Sequence, residues 1–254
     1  MSLISAMGNR VKIEHKILGQ DFKVNISKFQ NTHTTADITI LIIPPTGGTN
    51  FLDMSYAKAF SENGMDAIVI NRWSEDDEYN LELEIHQRFY SRAQKAIETV
   101  LSHITTPQIG ILGTSVGAIH ASVATSLFTK IQKSFLITGG APIAEIIAHS
   151  EQSLMLEAKE KRFKIHQFKN VKEYIVALDK VISYDPIKLT PNFKGKKLGM
   201  SIGLKDTVVP YSNQLQLQKL WNPDMVIEFN NNHFISIVKT WFLKRNDIIK
   251  FFKS

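Results

Sequence analysis

The chain has 254 residues, 43% of them hydrophobic, which suffices to fill the core of one large α/β domain. It has no cysteine, which excludes disulfide bonds and thiolate metal sites, and its net charge of +6 comes from scattered lysines, so we expect no nucleic-acid partner. No basic region leads into a long apolar run near the amino terminus, and no stretch approaches 18 continuous apolar residues. We therefore expect a soluble, cytoplasmic protein with a single domain spanning residues 1–254.

Short apolar segments predict the β-strands. Residues 11–18 and 22–29 alternate in part between apolar and polar side chains around Gly19-Gln20, a pattern typical of an antiparallel edge hairpin. The later strands are mostly continuous apolar runs, as expected for a sheet covered on both faces. These runs are DITILII (37–43), DAIVINRW (66–73), QIGILG (108–113), SFLITGG (134–140), KLGMSIG (197–203) and MVIEF (225–229).

Helical patterns separate most of these strands. They cover roughly residues 50–62, 79–104, 116–129, 212–221 and 234–252. A strand that alternates with a helix in this way is typical of βαβ units with right-handed crossovers. The sequence therefore predicts an α/β fold with a doubly wound, mainly parallel, eight-stranded sheet.

One interval breaks the alternation. More than 50 residues separate the strand that ends near Gly140 from the strand that begins near Lys197, and a single crossover helix needs far fewer. Two segments of this interval show helical spacing of apolar residues, most clearly at Val171, Tyr174 and Leu178. We expect residues 142–190 to form a small helical cap over the sheet edge, and a plain pair of packing helices remains the alternative.

A short motif lies where a predicted strand turns into a predicted helix. Gly113-Thr114-Ser115-Val116-Gly117 begins at the last residue of the run QIGILG and precedes small residues that pack closely on a sheet. This is the setting that a nucleophile elbow requires, in which the serine occupies the apex of a sharp turn and glycines leave room on both sides.

With this motif, nearly the whole chain from about residue 11 resembles the α/β-hydrolase superfamily. That family carries a serine, an acid and a histidine in this chain order. GLKDTVVP (203–210) places Asp206 on a turn after a strand, similar to the family's acid loop, and NNNHFI (230–235) places His233 at the start of the final helix. The resemblance therefore implies a catalytic triad of Ser115, Asp206 and His233.

Each of these residue types suits one role. The hydroxyl of Ser115 is protonated at neutral pH and needs a base, and His233 can take that proton and return it to a leaving group. Asp206 would hold the other imidazole nitrogen and stabilise the imidazolium. Taken singly, a helix cap, a turn former and a helix-start histidine are ordinary structural alternatives.

The resemblance also implies an oxyanion hole of two backbone N–H groups. One belongs to Val116, the residue after the nucleophile. The other comes from the turn IIPPTGGTN, where Pro44 and Pro45 have no N–H, so Thr46 is the first possible donor. Related proteins often have His-Gly in place of Pro44-Pro45. This chain therefore departs from the family pattern in the segment that supplies the second donor.

Other polar residues suggest no separate site. We interpret His120 as a packed or capping histidine and the acidic run SEDDEY (74–79) as a solvated loop. The remaining histidines lack the spacing of metal ligands, so we expect no metal and no cofactor. The final helix is amphipathic and basic, which suits an anionic membrane surface, but we favour packing of Phe234, Val238, Trp241 and Phe252 on the sheet.

The sequence thus predicts a serine hydrolase that cleaves a small-molecule carboxylic ester or thioester through an acyl-enzyme on Ser115. Acyl transfer to an alcohol or amine, or peptide cleavage, would use the same residues. A non-catalytic ligand-binding protein on the same fold is the alternative outside enzymes. Acyl-chain length, leaving group and oligomeric state are left open.

Overall fold

Eight strands make up the central sheet of the computed structural model, which describes residues 12–18, 23–31, 35–72, 81–189 and 195–254. They are β1 (Lys12–Leu18), β2 (Lys23–Phe29), β3 (Ile38–Ile43), β4 (Asp66–Arg72), β5 (Gln108–Thr114), β6 (Lys133–Ile137), β7 (Lys197–Gly203) and β8 (Met225–Phe229). Their spatial order is β1-β2-β4-β3-β5-β6-β7-β8.

Strand directions confirm the mainly parallel, eight-stranded sheet. β1 pairs with β2, and β2 with β4, in antiparallel directions, whereas every pairing from β4 to β8 is parallel. The turn proposed at Gly19-Gln20 lies outside the described residues. Because β3, β5, β6, β7 and β8 run parallel, their carboxyl ends share one edge of the sheet, where open α/β sheets build their sites.

Helices cover both faces of the sheet. They are α1 (Phe51–Glu62), α2 (Glu84–Ser102), α3 (Val116–Leu127), α4 (Ile143–His149), α5 (Ser153–His166), α6 (Val171–Val181), α7 (Tyr211–Trp221) and α8 (His233–Lys253). Alternate strand residues pack against α2, α3 and α7 on one face and against α1 and α8 on the other. This double coverage explains why the central strands are apolar runs instead of alternating patterns.

Two predicted boundaries differ from the observed ones by three residues or more. The strand expected over 134–140 ends at Ile137, because Thr138 has a positive φ of 52° and leaves the extended conformation. The helix expected over 79–104 begins at Glu84, and residues 73–80, with the acidic run, lie outside the described part of the chain.

The long interval after β6 contains three helices, α4 to α6. Apolar residues of α4 and α6, among them Ile143, Tyr174 and Leu178, form a third buried cluster with Tyr90 of α2 and Ile119 of α3. Helix α5 packs far less closely, and its buried residue is Arg162. These helices therefore lie over α2 and α3, beside the carboxyl edge of the sheet.

The final helix packs only in part as expected. Trp241 and Phe252 are buried against the sheet, but Phe234 is 68% exposed, so the expected packing of Phe234 is wrong. The physical reason is its position, since the first turn of α8 begins at the carboxyl edge, where the layer of strands ends. Phe242 and Leu243 are also exposed.

Candidate active site

Ser115 lies in a sharp turn between β5 and α3. Its φ of 57° and ψ of −122° are unusual for a residue with a side chain. The turn is fixed from both sides, because the Ser115 N–H donates to the carbonyl of Ile137 at 2.8 Å and the Ser115 carbonyl accepts from the N–H of Ala118 at 2.9 Å. Surrounding hydrogen bonds thus hold the serine in a conformation that costs about 1–3 kcal/mol.

Close backbone approach explains the two glycines of the motif. A Cβ on Gly113 would lie 2.6 Å from the Cα of Ala118, and a Cβ on Gly117 would lie 2.8 Å from the carbonyl carbon of Ile43. Backbone atoms cannot yield to such contacts as a flexible side chain can. Gly113 lets α3 approach β5, and Gly117 lets α3 approach the end of β3.

Three side chains from separate parts of the chain form one hydrogen-bonded series. His233 Nε2 lies 2.8 Å from Ser115 Oγ, and His233 Nδ1 lies 2.6 Å from Asp206 Oδ2. The side chain of Asp206 is fully buried, and that of His233 is 14% exposed. Since the N-cap Asn232 accepts from the N–H of Ile235, α8 begins at His233, which lies on its first turn. This arrangement can transfer a proton from the serine to the imidazole.

The carboxylate of Asp206 is held by donors on both oxygens. Its Oδ1 accepts from the N–H groups of Val208 at 2.9 Å and Val209 at 3.0 Å. Its Oδ2, which faces His233, also accepts from Gln214 Nε2 at 2.8 Å. These hydrogen bonds fix the direction of the carboxylate toward the imidazole.

Gln214 is a site residue that the sequence reasoning missed. Besides Asp206, its amide donates to the carbonyl of Val209 at 2.8 Å and accepts from the N–H of Gly203 at 3.1 Å. It therefore ties the end of β7 to the turn that carries Asp206. No motif marks this position, because a glutamine on the first turn of a helix is common in any sequence.

The two expected oxyanion donors lie on neighbouring segments. Val116 is the first residue of α3, where an N–H has no acceptor within the helix. Thr46 lies in the turn after β3, which is closed by a hydrogen bond from the N–H of Gly48 to the carbonyl of Pro45 at 3.1 Å. Gly47 adopts a φ of 90°, which a residue with a side chain rarely does.

A cavity of about 260 Å³ is lined by both Thr46 and Val116. Its other walls come from α2, α4 and α5, and most of the surface is apolar, with Ile85, Phe89 and Met155 as examples. The cavity therefore begins at the expected oxyanion donors and extends under the helices that follow β6. Since Val116 directly follows Ser115 in the chain, this end of the cavity lies beside the candidate nucleophile.

His120 and His86 both lie near this cavity but in different settings. His120 is fully buried against the rings of Phe89 and Tyr90, each with its centroid 5.0 Å away, as a packed histidine should be. His86 forms part of the cavity wall. Burial lowers the pKa of each imidazole to about 3, so both are neutral near pH 7.

The described residues contain neither a cluster of metal-ligating side chains nor a membrane-spanning helix. No group of three or more histidine, aspartate or glutamate side chains in this part of the chain is arranged to hold a metal ion. Among the described helices, none combines the length and the apolar character needed to cross a bilayer.

Comparison with protein families identifies the group to which the sequence is related. The family model described as serine hydrolase (FSH1) matches residues 22–242. The chain belongs to this family. No curated protein is significantly similar to it in sequence.

Several solved structures are similar in fold to this FSH1-family chain. Est1E from Butyrivibrio proteoclasticus has a TM-score of 0.65 at 14% identity, over 94% of this chain and 97% of that chain. The Pyrococcus furiosus esterase Pf2001 has a TM-score of 0.64 at 14% identity, over 96% and 92%. Both likenesses show the α/β-hydrolase fold.

An acylaminoacyl peptidase from Pyrococcus horikoshii shows the same fold. Its TM-score is 0.71 at 14% identity, and the match covers 99% of this chain. The FSH1-family chain spans about two fifths of the length of that peptidase, since 42% of it is covered. The chain thus belongs to the serine hydrolase (FSH1) family and has the α/β-hydrolase fold.

Proposed function

We propose that this protein hydrolyses a carboxylic ester or thioester, with Ser115, His233 and Asp206 as its catalytic triad. The observation that carries the proposal is the series of hydrogen bonds from Ser115 Oγ through His233 to Asp206, at 2.8 and 2.6 Å. These distances lie within the range that proton transfer between a nucleophile and its base requires.

In the first half of the reaction, Ser115 Oγ attacks the acyl carbon while His233 Nε2 takes its proton. The carbonyl oxygen becomes negative and accepts hydrogen bonds from the N–H groups of Thr46 and Val116. Asp206 stabilises the imidazolium. The tetrahedral intermediate then expels the alcohol or thiol, which receives the proton from His233, and the acyl group remains on Ser115.

In the second half, a water molecule takes the place of the leaving group. His233 removes a proton from this water as it attacks the acyl carbon, and the same two N–H groups hold the second oxyanion. Collapse of the intermediate returns the proton to Ser115 Oγ and releases the carboxylic acid. Acyl transfer differs only in that an alcohol or amine replaces the water.

The cavity favours a small acyl group over a peptide. Its volume of about 260 Å³ lies below the roughly 300–1,000 Å³ of pockets that bury drug-sized ligands. Its apolar wall offers few partners for the amide groups of a peptide, and each unpaired amide would be costly to bury. A short or medium acyl chain meets neither difficulty.

Hydrolysis of p-nitrophenyl esters from acetate to dodecanoate tests the proposal. We expect a chain-length optimum set by the cavity and a fall in kcat/KM of roughly 10³-fold or more in Ser115→Ala. Ser126→Ala removes another hydroxyl from α3, one that bonds to the carbonyl of Ser122, and should keep full activity.

Three results would contradict the proposal in different ways. Full activity in Ser115→Ala would exclude this serine as the nucleophile. Faster Ser115-dependent cleavage of acyl-peptide p-nitroanilides than of esters would indicate a peptidase. Tight binding of the esters without any turnover would indicate a ligand-binding protein.

A further inference from the structure

His86 is a buried polar side chain in the apolar wall of the cavity. It lies on the first turn of α2, is 9% exposed, and lines the cavity with Ile85 and Phe89. Within the part of the chain that the structure describes, no group is in hydrogen-bonding range of its Nε2 atom, which is also shielded from solvent. A buried nitrogen without a partner is rare in a folded protein and calls for an explanation.

The chemistry of this imidazole restricts what its partner can be. Burial, together with the positive charge of Arg162, lowers the pKa of His86 to about 3, so the ring is neutral at pH 7. In a neutral imidazole one nitrogen donates and the other accepts, and Nε2 takes either role according to the tautomer. A hydroxyl group both donates and accepts, so it is the one simple oxygen substituent that pairs with Nε2 in both tautomers.

The other buried polar group of the wall is engaged in the fold itself. Arg162 donates from Nε to the carbonyl of Leu81 at 3.2 Å and from Nη1 to the hydroxyl of Tyr174 at 3.0 Å. These bonds tie α5 to α6 and to the segment before α2. The Nε2 atom of His86, in contrast, has no hydrogen-bond partner among the described groups.

We propose that the cavity accepts an acyl chain that carries a hydroxyl group, and that His86 Nε2 is the hydrogen-bond partner of this hydroxyl. The χ2 torsion of histidine is soft, so a rotation of a ring that already forms the wall presents Nε2 to the bound chain. This inference rests on the proposed function, because it takes the cavity as the acyl site. His86 is then a specificity-determining residue, since a plain acyl chain leaves its Nε2 unpaired.

Binding to Ser115→Ala tests the inference without any turnover. The probes are methyl octanoate and a positional series of methyl monohydroxyoctanoates, with Kd measured by calorimetry. We expect one hydroxyl position to bind roughly 5- to 150-fold more tightly than methyl octanoate, the factor that pairing of one buried polar group supplies. The preference should vanish in Ser115→Ala/His86→Phe and persist in part in Ser115→Ala/His86→Gln, which keeps a polar nitrogen.

Ser115→Ala/His120→Phe is the matched control. It replaces a second buried, neutral imidazole that packs on Phe89 without being a wall residue, and it should keep the hydroxyl preference. The thermal midpoint of the His86→Phe variant separates recognition from a structural role. Loss of an unpaired buried nitrogen leaves Tm unchanged or raises it, whereas loss of a structural hydrogen bond lowers Tm.

Two results would overturn the inference. One is equal affinity for methyl octanoate and every hydroxylated ester, and the other is a hydroxyl preference that survives in Ser115→Ala/His86→Phe. Failure of the proposed function would give a different result. Wild type would then release no p-nitrophenol from the p-nitrophenyl esters, while the affinities for the methyl esters would still be measurable.

Discussion

At the scale of single residues, Gln214 holds the carboxylate of the candidate triad by a hydrogen bond. Its Nε2 donates to the same carboxylate oxygen of Asp206 that His233 contacts, at 2.8 Å, in a fully buried setting. A hydrogen bond to a charged group is worth about 1.5–3 kcal/mol. In the proposed reaction Gln214 is therefore a positioning residue, which acts through the direction of Asp206.

Gln214→Leu should reduce kcat while leaving KM nearly unchanged. We expect a fall of roughly 10- to 150-fold, which corresponds to the loss of one charge-assisted hydrogen bond, because the imidazolium of the transition state loses support that the bound substrate does not need. Steady-state kinetics with the best p-nitrophenyl ester measure both parameters. Gln216→Leu, on the same helix but bonded to Glu145, is the control, and an equal loss in both variants would rule out a specific role for Gln214.

At the scale of secondary-structure elements, two close backbone contacts between three elements build the site. β5, α3 and the end of β3 meet at the motif glycines, so the serine, the Val116 N–H and the turn with Thr46 are placed together. Helix α3 cannot shift away without moving its own first turn. The elbow is thus a property of three packed elements and not of the serine alone.

Gly117→Ala should lower both stability and activity. The added methyl group would meet the carbonyl groups of Ile43 and Pro44, and relief of this contact displaces the turn that carries Thr46. We expect a loss of about 1–3 kcal/mol in the free energy of unfolding, measured in urea, and a large fall in kcat/KM. Gly64→Ala is the control, since Gly64 has a φ of 84° but no atom within 4 Å of an added Cβ. This control variant should lose stability but keep its activity. Unchanged activity in Gly117→Ala would refute this account of the elbow.

At the scale of the whole molecule, two buried groups link stability to pH with opposite signs. Burial lowers the pKa of His120 to about 3 and raises the pKa of Asp53 to about 7. Below about pH 6.5 His120 is protonated in the unfolded state but stays neutral in the folded state, so lowering the pH favours unfolding. Above about pH 4 unfolded Asp53 releases a proton that the folded state keeps until about pH 7, so its contribution to stability is lost as the pH rises.

Two variants should reveal these opposite trends between pH 4.5 and 6.5. Relative to wild type, His120→Phe should gain about 1.4 kcal/mol in the free energy of unfolding for each pH unit of acidification, and Asp53→Asn should gain a similar amount for each unit of alkalinisation. Urea unfolding at four pH values measures the slopes. Parallel stability curves for the three proteins would show that neither pKa is shifted in the folded state.

Much of this architecture follows from local patterns in the sequence. Continuous apolar runs such as residues 37–43 and 197–203 predicted β3 and β7 because a strand covered on both faces needs no polar side. The expected positions of Asp206 and His233 after strands depended only on the chain order of a known fold and on turn residues near each strand end.

Other features arise from contacts between residues far apart in the sequence. Gln214 donates a hydrogen bond to Asp206, and His86 lines a cavity. Phe234 is exposed because the first turn of its helix lies at the edge of the sheet. None of these residues differs in its local pattern from an ordinary helix residue. The sequence by itself determined the elements and the motif, because periodicity and glycine spacing are local, whereas the tertiary structure alone decided which polar groups are buried together, because burial depends on how distant elements pack.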